Sequence, residues 1–248
     1  MKYVLITGGT SGIGYELARC FAKDNWGIVI VGSHHERLKV AMKKLEEEFK
    51  VPIISCLQDL SQIGAAKHLY NQIKEKQLVI DTLVNNAGFG LAGTTETIDF
   101  NRDEQLMILN NISLVELCKL FLAEMYQRGS GRILNVASTG AFQPGPYTST
   151  YFASKAFVLS YSRAVRYEAK EKGVTVSVLC PGATKTNFFK QEGFETPKSA
   201  MSTEKVANYA YSSLMKNKEI IIPGWKNKIL PIIPTRLKMQ AVANMKRK

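Results

Sequence analysis

The chain opens with the stretch VLITGGTSGIGYELARCFAKD, residues 4–24, in which a short apolar run leads into a glycine-rich turn and then into a segment of helical spacing. Gly8, Gly12 and Gly14 permit a tight turn and leave room for a ligand against the backbone. The amide groups that begin the next helix favour an anion, because the helix dipole is positive at that end. This order of strand, loop and helix predicts an α/β domain that binds the pyrophosphate of a dinucleotide. The residues predicted to contact it are Gly8, Thr10, Ser11, Gly12, Ile13 and Gly14.

Six more apolar runs follow the first, at intervals long enough for a helix between them. They read GIVIVG, VPIISCL, LVIDTLVNN, GRILNVAS, VTVSVLC and EIIIP. Runs that are apolar throughout are typical of strands buried on both faces, and their alternation with helical segments indicates right-handed βαβ units. We therefore predict a Rossmann-type, doubly wound and mainly parallel sheet of seven strands with helices on both faces. In such a sheet ligands bind at the carboxyl ends of the strands.

The composition is that of one folded domain. The chain has 248 residues, of which 45% are hydrophobic and 22% charged, and no linker rich in Gly, Pro or Ser divides it. Residues 1–225 are predicted to form a dinucleotide-binding and catalytic domain, and residues 226–248 a basic, hydrophobic tail. The first apolar run is shorter than that of a signal peptide and no 18 consecutive residues are apolar, so a cytoplasmic protein is expected.

The four cysteines lie far apart in the sequence, and none belongs to a CxxC pair. Each stands in an apolar or helical stretch, where a buried thiol is expected. Neither a disulfide framework nor a metal site is therefore predicted. The four are Cys20, Cys56, Cys118 and Cys180.

The net charge of +12 is concentrated at one end of the chain. Residues 220–248 hold seven basic side chains and no acidic one, which leaves only +5 over residues 1–219. A body of such low charge does not indicate a nucleic-acid partner. In the tail, aliphatic residues alternate with the cations, which suits a peripheral helix at the inner face of a membrane with anionic lipid. The alternative is a helix that packs on its own domain or on a second subunit, in a homodimer or homotetramer. The cations are Lys226, Lys228, Arg236, Lys238, Lys246, Arg247 and Lys248.

The second apolar run, GIVIVG, ends at the position where a site for NAD is expected to carry an acidic residue. Ser33 stands there instead, and Ser33, His34 and Arg37 can donate hydrogen bonds to a 2′-phosphate. NADP(H) is therefore the predicted cofactor, with NAD(H) as the alternative. His34 and His35 can equally belong to an exposed polar turn that begins a helix.

Tyr151 and Lys155 stand four residues apart in the segment YFASK, so on a helix they share one face. A free phenol has a pKa of about 10, and a neighbouring ammonium stabilises the phenolate, so Lys155 is expected to lower the pKa of Tyr151. Ser138 follows the fifth apolar run, where its hydroxyl can hydrogen-bond a substrate oxygen. The pattern predicts general acid–base chemistry at an alcohol or carbonyl group.

With these motifs the sequence strongly resembles the short-chain dehydrogenase/reductase family over residues 3–222. The resemblance implies NAD(P)-dependent hydride transfer between nicotinamide and a small-molecule alcohol or ketone, with Tyr151 as the proton donor and acceptor. The matching segments are TGGTSGIG at 7–14, Asp59, NNAG at 85–88, Asn110, Ser138, YFASK at 151–155 and PGATKT at 181–186.

The resemblance also implies roles for individual residues. Asn110 would hold a water that links Lys155 to solvent; Asn111 is the alternative for this role, and the 28-residue spacing to Ser138 favours Asn110. Together with Ser138, Tyr151 and Lys155 it completes the predicted catalytic set. Asp59 and Leu60 would contact the adenine, and Asn86, Ala87 and Gly88 would contact the cofactor beside the fourth strand. Lys155 would contact the ribose, and Tyr151 is also an implied cofactor contact. Pro181, Gly182, Thr184 and Thr186 would lie at the nicotinamide.

Two other function classes compete with this interpretation. A non-catalytic NADP-binding or membrane-associated module on the same fold would have no need of the acid–base residues, and an extended-type epimerase or dehydratase would need more chain. The substrate pocket is expected from residues 89–100, 139–150 and 187–202, the last as a lid or as a plain surface connection. An apolar substrate is suggested by Phe89, Phe142, Phe188, Phe189 and Phe194.

Overall fold

The computed structural model describes residues 1–247, apart from the side chain of Gln191. Each predicted apolar run contains one strand, and Lys248, the last predicted cation of the tail, lies outside the described residues. The strands are β1 (Tyr3–Thr7), β2 (Gly27–Gly32), β3 (Ile53–Leu57), β4 (Ile80–Asn85), β5 (Gly131–Val136), β6 (Val174–Leu179) and β7 (Ile220–Ile221). The helices are α1 (Gly12–Lys23), α2 (His35–Glu48), α3 (Ala65–Glu75), α4 (Phe100–Met107), α5 (Ser113–Arg128), α6 (Ser149–Lys170), α7 (Phe188–Gln191), α8 (Thr203–Met215), α9 (Trp225–Ile229) and α10 (Thr235–Lys246).

The seven strands form one sheet in the order β3-β2-β1-β4-β5-β6-β7, and each neighbouring pair is parallel. The predicted doubly wound sheet is confirmed, and it is parallel in all its described strands. The order reverses between β1 and β4, which are neighbours in the sheet although two strands separate them in the sequence. The chain leaves these two strands in opposite directions, so a crevice opens at their carboxyl ends.

Apolar side chains cover both faces of the sheet, because successive residues of a strand point to opposite sides. In β1, Val4 and Ile6 pack into one core cluster with α1, α2 and α8. Leu5, between them, packs into a second cluster with α3, α5 and α6. Helices on both faces explain why the strands are apolar throughout. The cysteines are free and buried: Cys20, Cys56, Cys118 and Cys180.

A continuous helical segment, residues 100–128, joins α4 to α5 through a π-helical turn at Ile108–Ile112. By length and mean hydropathy alone this segment is able to cross a membrane. Its apolar side, which includes Leu117, Phe121 and Met125, is instead buried in the core of the domain. Packing against the sheet accounts for its apolar composition.

The tail folds back over the carboxyl edge of the sheet. It consists of α9, a 3-10 turn at Leu230–Ile232, and α10. Lys238, Val242 and Lys246 are buried along one side of α10. That side of the helix therefore packs on its own domain, which is the second of the two interpretations of the tail.

Candidate functional site

An open cavity of about 680 Å³ lies along the carboxyl edge of the sheet, across the point where the strand order reverses. One end is polar and lies at the turn after β2, and the other end is apolar and lies beneath the tail. The volume is in the range of small-molecule and cofactor sites. The predicted site residues that line it are Gly8, Thr10, Ser11, Gly12, Ile13, Ser33, Asp59, Leu60, Asn86, Ala87, Gly88, Ser138, Tyr151, Lys155, Pro181, Gly182, Thr184 and Thr186.

The turn between β1 and α1 presents backbone amides to this cavity. Ser11 is the N-cap of α1, but its side chain makes no capping hydrogen bond, and the first turn of the helix contains no acidic residue. These amides are therefore left for an anionic ligand. Gly14 lies behind the turn, where an added Cβ would come within 2.4 Å of the Gly8 carbonyl oxygen and 2.5 Å of Asn86 Nδ2. Only glycine allows α1 to start so close to the strand.

Hydrogen bonds between Thr7 and Asn86 join the ends of β1 and β4. The Asn86 amide group donates from Nδ2 to the carbonyl oxygens of Thr7 and Gly8, each at 3.0 Å. The Thr7 hydroxyl oxygen accepts from the backbone amides of Asn86 and Ala87, also at 3.0 Å each. The two sides of the crevice are thereby fixed relative to each other.

The turns after β2 and β3 form the polar end of the cavity. Ser33 lines it, whereas His34 and Arg37 are exposed at the start of α2 and lie outside the lining. Asp59 accepts hydrogen bonds at Oδ1 from the Ser61 amide (3.0 Å) and hydroxyl (2.7 Å). Burial acts to raise the pKa of Asp59, but the hydrogen bonds outweigh it and the pKa lies below its usual value.

Ser138, Tyr151 and Lys155 meet in the middle of the cavity. Ser138 follows β5, accepts a hydrogen bond at Oγ from the Gly140 amide (3.0 Å), and is hydrogen-bonded to Tyr151. Lys155 follows Tyr151 by about one turn of α6, and its Nζ lies 5.8 Å from the centre of the Tyr151 ring. Nζ also donates to the carbonyl oxygen of Val136 at 3.0 Å. The structure thus brings together the three residues that the sequence predicted as an acid–base set.

Burial dominates the electrostatics of this group. It raises the pKa of Tyr151 above its usual value, more than the hydrogen bond from Ser138 lowers it. It lowers the pKa of Lys155 to about 8, because a buried ammonium has lost its water. The expectation that Lys155 lowers the pKa of Tyr151 is therefore not met in this geometry. Tyr151 is protonated at neutral pH and is poised as a proton donor.

Asn110 lies behind the cavity wall, buried in the π-helical turn between α4 and α5. Its Nδ2 donates to the Phe89 carbonyl (3.2 Å) and the Ser154 hydroxyl (3.0 Å), and its Oδ1 accepts from the Phe89 amide (3.3 Å). Asn111 donates to the Ser154 carbonyl instead (2.9 Å). Asn110 is the asparagine that lies beside Gly88 of the lining. π-Helical turns are frequent at functional sites.

The loop after β6 forms the wall opposite the glycine-rich turn. Thr184 is buried, and its hydroxyl donates to the Gly182 carbonyl at 2.9 Å. The Thr186 methyl group lies 3.2 Å from where a Cβ on Gly12 would stand. The Pro181 carbonyl oxygen accepts a hydrogen bond from the backbone amide of Thr139, which follows β5, at 2.9 Å. These contacts hold the loop close to both the first turn of α1 and the acid–base residues.

The segment 187–202 covers the apolar end of the cavity. Its short helix α7 places Phe188 and Phe189 in the lining, and the centre of the Phe188 ring lies 5.1 Å from that of Tyr151. Of the two interpretations of this segment, the structure therefore favours the lid. Of the phenylalanines predicted for an apolar pocket, Phe89, Phe188 and Phe189 line the cavity, and Phe142 and Phe194 do not.

The tail supplies a further wall that the sequence did not reveal. The lining residues of α10 recur at intervals that alternate between one and three, which is the spacing of one helix face. This periodicity is present in the sequence, but two of these residues are cations, which also suit a lipid surface. The lining residues of the helix are Leu237, Lys238, Ala241, Val242, Met245 and Lys246, and Leu230 and Ile233 line the cavity just before it.

The residues present fit a dinucleotide whose nicotinamide lies beside Tyr151. The uncapped first turn of α1 suits the pyrophosphate, and the cavity continues from there in both directions. At the acid–base residues, a phenol and a hydroxyl can share a substrate oxygen while Lys155 supplies positive charge, an arrangement for proton transfer. Within residues 1–247, no group of three or more His, Cys, Asp or Glu side chains is placed to hold a metal ion.

Comparison with known proteins places this geometry in a family. Residues 2–196 match the family model of the short chain dehydrogenases. The ketoacyl reductase HetN of Nostoc sp. is 32% identical over 227 residues, which cover 89% of this chain and 78% of that protein.

Two solved structures resemble this one closely. A short-chain dehydrogenase from Sphingobium yanoikuyae in complex with NADPH matches with a TM-score of 0.86 and 27% identity, covering 99% of this chain and 94% of its own. The bulky-bulky ketone specific alcohol dehydrogenase from Comamonas testosteroni matches with a TM-score of 0.83 and 28% identity, covering 99% and 92%.

The burial of Lys155 predicts a stability cost. Replacing it by methionine removes a desolvated charge, so Lys155→Met is expected to raise the free energy of unfolding at pH 7 by about 1–3 kcal/mol, measured by urea denaturation without cofactor. Lys119→Met, at an exposed position of α5, serves as the control and should change it by less than about 0.5 kcal/mol.

The same experiment has a pH signature. Lys155 has a pKa of about 8 in the folded protein and about 10.4 when unfolded, so between these values the unfolded chain binds more protons and the wild type becomes more stable as pH rises. The advantage of the methionine variant should therefore be complete below about pH 8 and vanish above about pH 10.4. A difference that is independent of pH would show that packing, and not charge, causes it.

Proposed function

We propose that this chain, which belongs to the short-chain dehydrogenase family, reduces the ketone of a bulky, apolar small molecule with NADPH. That it is an NAD(P)-dependent oxidoreductase follows from the family. The finer proposal depends on one observation: beyond Tyr151 the cavity is lined mainly by aromatic and aliphatic side chains, with Glu192, Lys238 and Lys246 as the charged residues among them. The named neighbours, a ketoacyl reductase and an enzyme specific for bulky ketones, support this substrate class.

The acid–base residues suit the reductive direction. Tyr151 is protonated at neutral pH, so it can donate its proton to the carbonyl oxygen as negative charge develops there. The Ser138 hydroxyl, which accepts from the Gly140 amide at Oγ, can turn its proton from Tyr151 to the same substrate oxygen. The bound nicotinamide would supply the hydride.

Lys155 is placed to help return a proton to Tyr151 after each turnover. Its Nζ lies near the Tyr151 ring, so a phenolate left after proton donation would face a cation. Its pKa of about 8 lets Lys155 pass a proton on near neutral pH. Asn110, fixed beside Gly88, is proposed to orient the water that connects this lysine to solvent. A purely binding module is not favoured, because it would not need this set of groups together.

The proposed preference for NADP(H) over NAD(H) derives from the end of β2. Ser33 lines the polar end of the cavity where a carboxylate would repel a 2′-phosphate. His34 and Arg37 are exposed beside it, at the start of α2. The NADPH complex among the structural neighbours supports the same choice.

A peripheral membrane contact is a second proposal, for the outer side of the tail. Trp225 and Ile232 are 69% and 82% exposed there, beside the exposed cations Lys226 and Lys228. Apolar side chains flanked by cations suit an anionic lipid surface. Because α10 also lines the cavity, deleting the tail would alter both the cavity and the proposed lipid contact. Substitutions on the outer side of the tail are therefore needed to test the lipid contact alone.

Tyr151→Phe is expected to lower kcat for ketone reduction by at least about 100-fold, since it removes the proton donor. The affinity for NADPH, measured by fluorescence titration, should stay within about twofold. Tyr167→Phe, at a tyrosine of α6 that is 84% exposed, is the matched control. Turnover by Tyr151→Phe close to that of the control would disprove the assigned donor.

Ser33→Asp is expected to raise the Kd of NADPH by at least about tenfold, because a carboxylate would face the 2′-phosphate. The Kd of NADH should fall or stay unchanged. Ser33→Ala separates the loss of the hydroxyl from the gain of charge and should affect NADPH only mildly. Tighter binding of NADH than of NADPH by the wild type would contradict the proposed preference.

Replacing the exposed tail cations Lys226, Lys228, Arg236 and Arg247 by glutamine should abolish cosedimentation with vesicles that contain phosphatidylserine, since each cation contributes about 1 kcal/mol at an anionic surface. The control changes the net charge equally at four exposed lysines of the main domain: Lys39, Lys44, Lys50 and Lys76. Equal binding by the two variants, or no binding by the wild type, would refute membrane contact.

A further inference from the structure

Three parts of the chain that lie far apart in sequence meet over the apolar end of the cavity. They are the loop after β4 at Gly90, the lid segment at Glu192, and the last turn of α10 at Lys246. Glu192 and Lys246 form an ion pair between Oε2 and Nζ. The Glu192 side chain is 1% exposed and that of Lys246 is 7% exposed.

Other contacts converge on this ion pair. Lys246 Nζ lies 4.3 Å from the centre of the Phe194 ring and 5.5 Å from that of Phe189, both of which belong to the lid segment. A cation over an aromatic face is attracted by the ring electrons, and more strongly when it is shielded from water. One ammonium therefore holds the lid segment at three points.

The loop after β4 packs closely against the lid segment. A Cβ on Gly90 would lie 2.3 Å from Glu192 Oε1 and 2.7 Å from the tip of the Phe188 ring. Phe188 in turn lies against Tyr151. The position of the lid carboxylate is thus connected to the position of the aromatic ring that covers the proton donor.

We propose that the Glu192–Lys246 pair is a latch that closes the lid over the substrate, so that Lys246 is a positioning residue which sets how well a bulky substrate is held. The proposal rests on the proposed ketone reduction for its effect on activity, but not for its effect on the lid. A lysine, usually expected in solvent, is here almost fully buried in the last turn of α10. Breaking a buried pair leaves an uncompensated charge, so the closed lid depends on both partners.

The pair makes a specific double-mutant prediction. Lys246→Met leaves the Glu192 carboxylate buried and unpaired, and Glu192→Gln leaves the Lys246 ammonium without its carboxylate. In each single variant the lid segment should open and expose its backbone amides to solvent. The double variant contains neither charge, so it should close again, at least in part, because replacing both partners of a buried pair is often neutral. Lys246→Arg keeps the charge and should retain most of the closure.

The direct measurement is amide hydrogen exchange of residues 187–198 with NADPH bound. Protection should fall at least about tenfold in Lys246→Met and Glu192→Gln and recover in the double variant. Arg247→Met is the matched control, since Arg247 is the neighbouring cation and is exposed. The same protection in Lys246→Met as in Arg247→Met would overturn the latch. If Lys246→Met loses its cooperative unfolding transition, the double variant decides, and failure to recover protection there overturns the proposal.

Kinetics separate the latch from the proposed reaction. In Lys246→Met, KM for a diaryl ketone such as benzophenone should rise at least about tenfold through lost apolar contact with the lid. The KM for acetone should rise by a smaller factor, at most about threefold, because a small ketone makes fewer contacts with that wall. An unchanged KM for the diaryl ketone, with exchange increased, would overturn the role in substrate binding. A wild type that reduces neither ketone would count against the proposed function, whereas the exchange result would still decide the latch.

Discussion

The hydrogen bonds that join Thr7 to Asn86 hold together the two strands between which the sheet reverses its order. Backbone pairing between β1 and β4 ends at Val84, so beyond that point side chains must keep the two strand ends together. The glycine-rich turn then leaves one strand and the Asn86–Gly88 segment leaves the other. Gly14, packed against the Asn86 side chain, fixes the start of α1 in the same junction. The crevice that can receive a dinucleotide depends on this constraint.

The acid–base residues stand where the fold is least suited to polar groups. Lys155 is almost fully buried although it lines the cavity, and Asn110 and Ser154 are buried behind it. Oδ1 of Asn111 has no hydrogen-bond partner within the described part of the chain. Burial disfavours the charged form of Lys155 and the phenolate of Tyr151 alike. The same burial keeps Tyr151 protonated for donation, so the groups that lower stability are those that suit the chemistry.

The sequence predicts the sheet and the polar half of the site well, because both depend on local patterns. A strand followed by a glycine-rich turn, or Tyr151 and Lys155 four apart on a helix, has the same geometry in almost any setting. The sequence does not predict the raised pKa of Tyr151, since the spacing shows a nearby cation but not how deeply the phenol is buried. His34 and Arg37 lie outside the cavity lining for a similar reason: the exact end of the cavity depends on tertiary packing.

The tail shows where local patterns are no longer sufficient. Its alternating cations and aliphatic residues suit either a lipid surface or a protein surface, and composition alone does not distinguish them. The structure distinguishes the two surfaces through Glu192, which lies in the lid 54 positions before Lys246 and forms a buried ion pair with it. No spacing within the tail indicates that pairing, which depends on how the lid and α10 meet.

The family match and the wall formed by α10 lie in different parts of the chain. The match to the short chain dehydrogenases ends at residue 196, and it contains the glycine-rich turn, Ser138, Tyr151 and Lys155. The apolar wall of α10 and the cation that contacts the lid both lie beyond residue 196. The family therefore establishes NAD(P)-dependent oxidoreduction through the groups that lie within the match. The end of the pocket is also shaped by α10, which the family match does not include, because a pocket is shaped by whichever segments close over it.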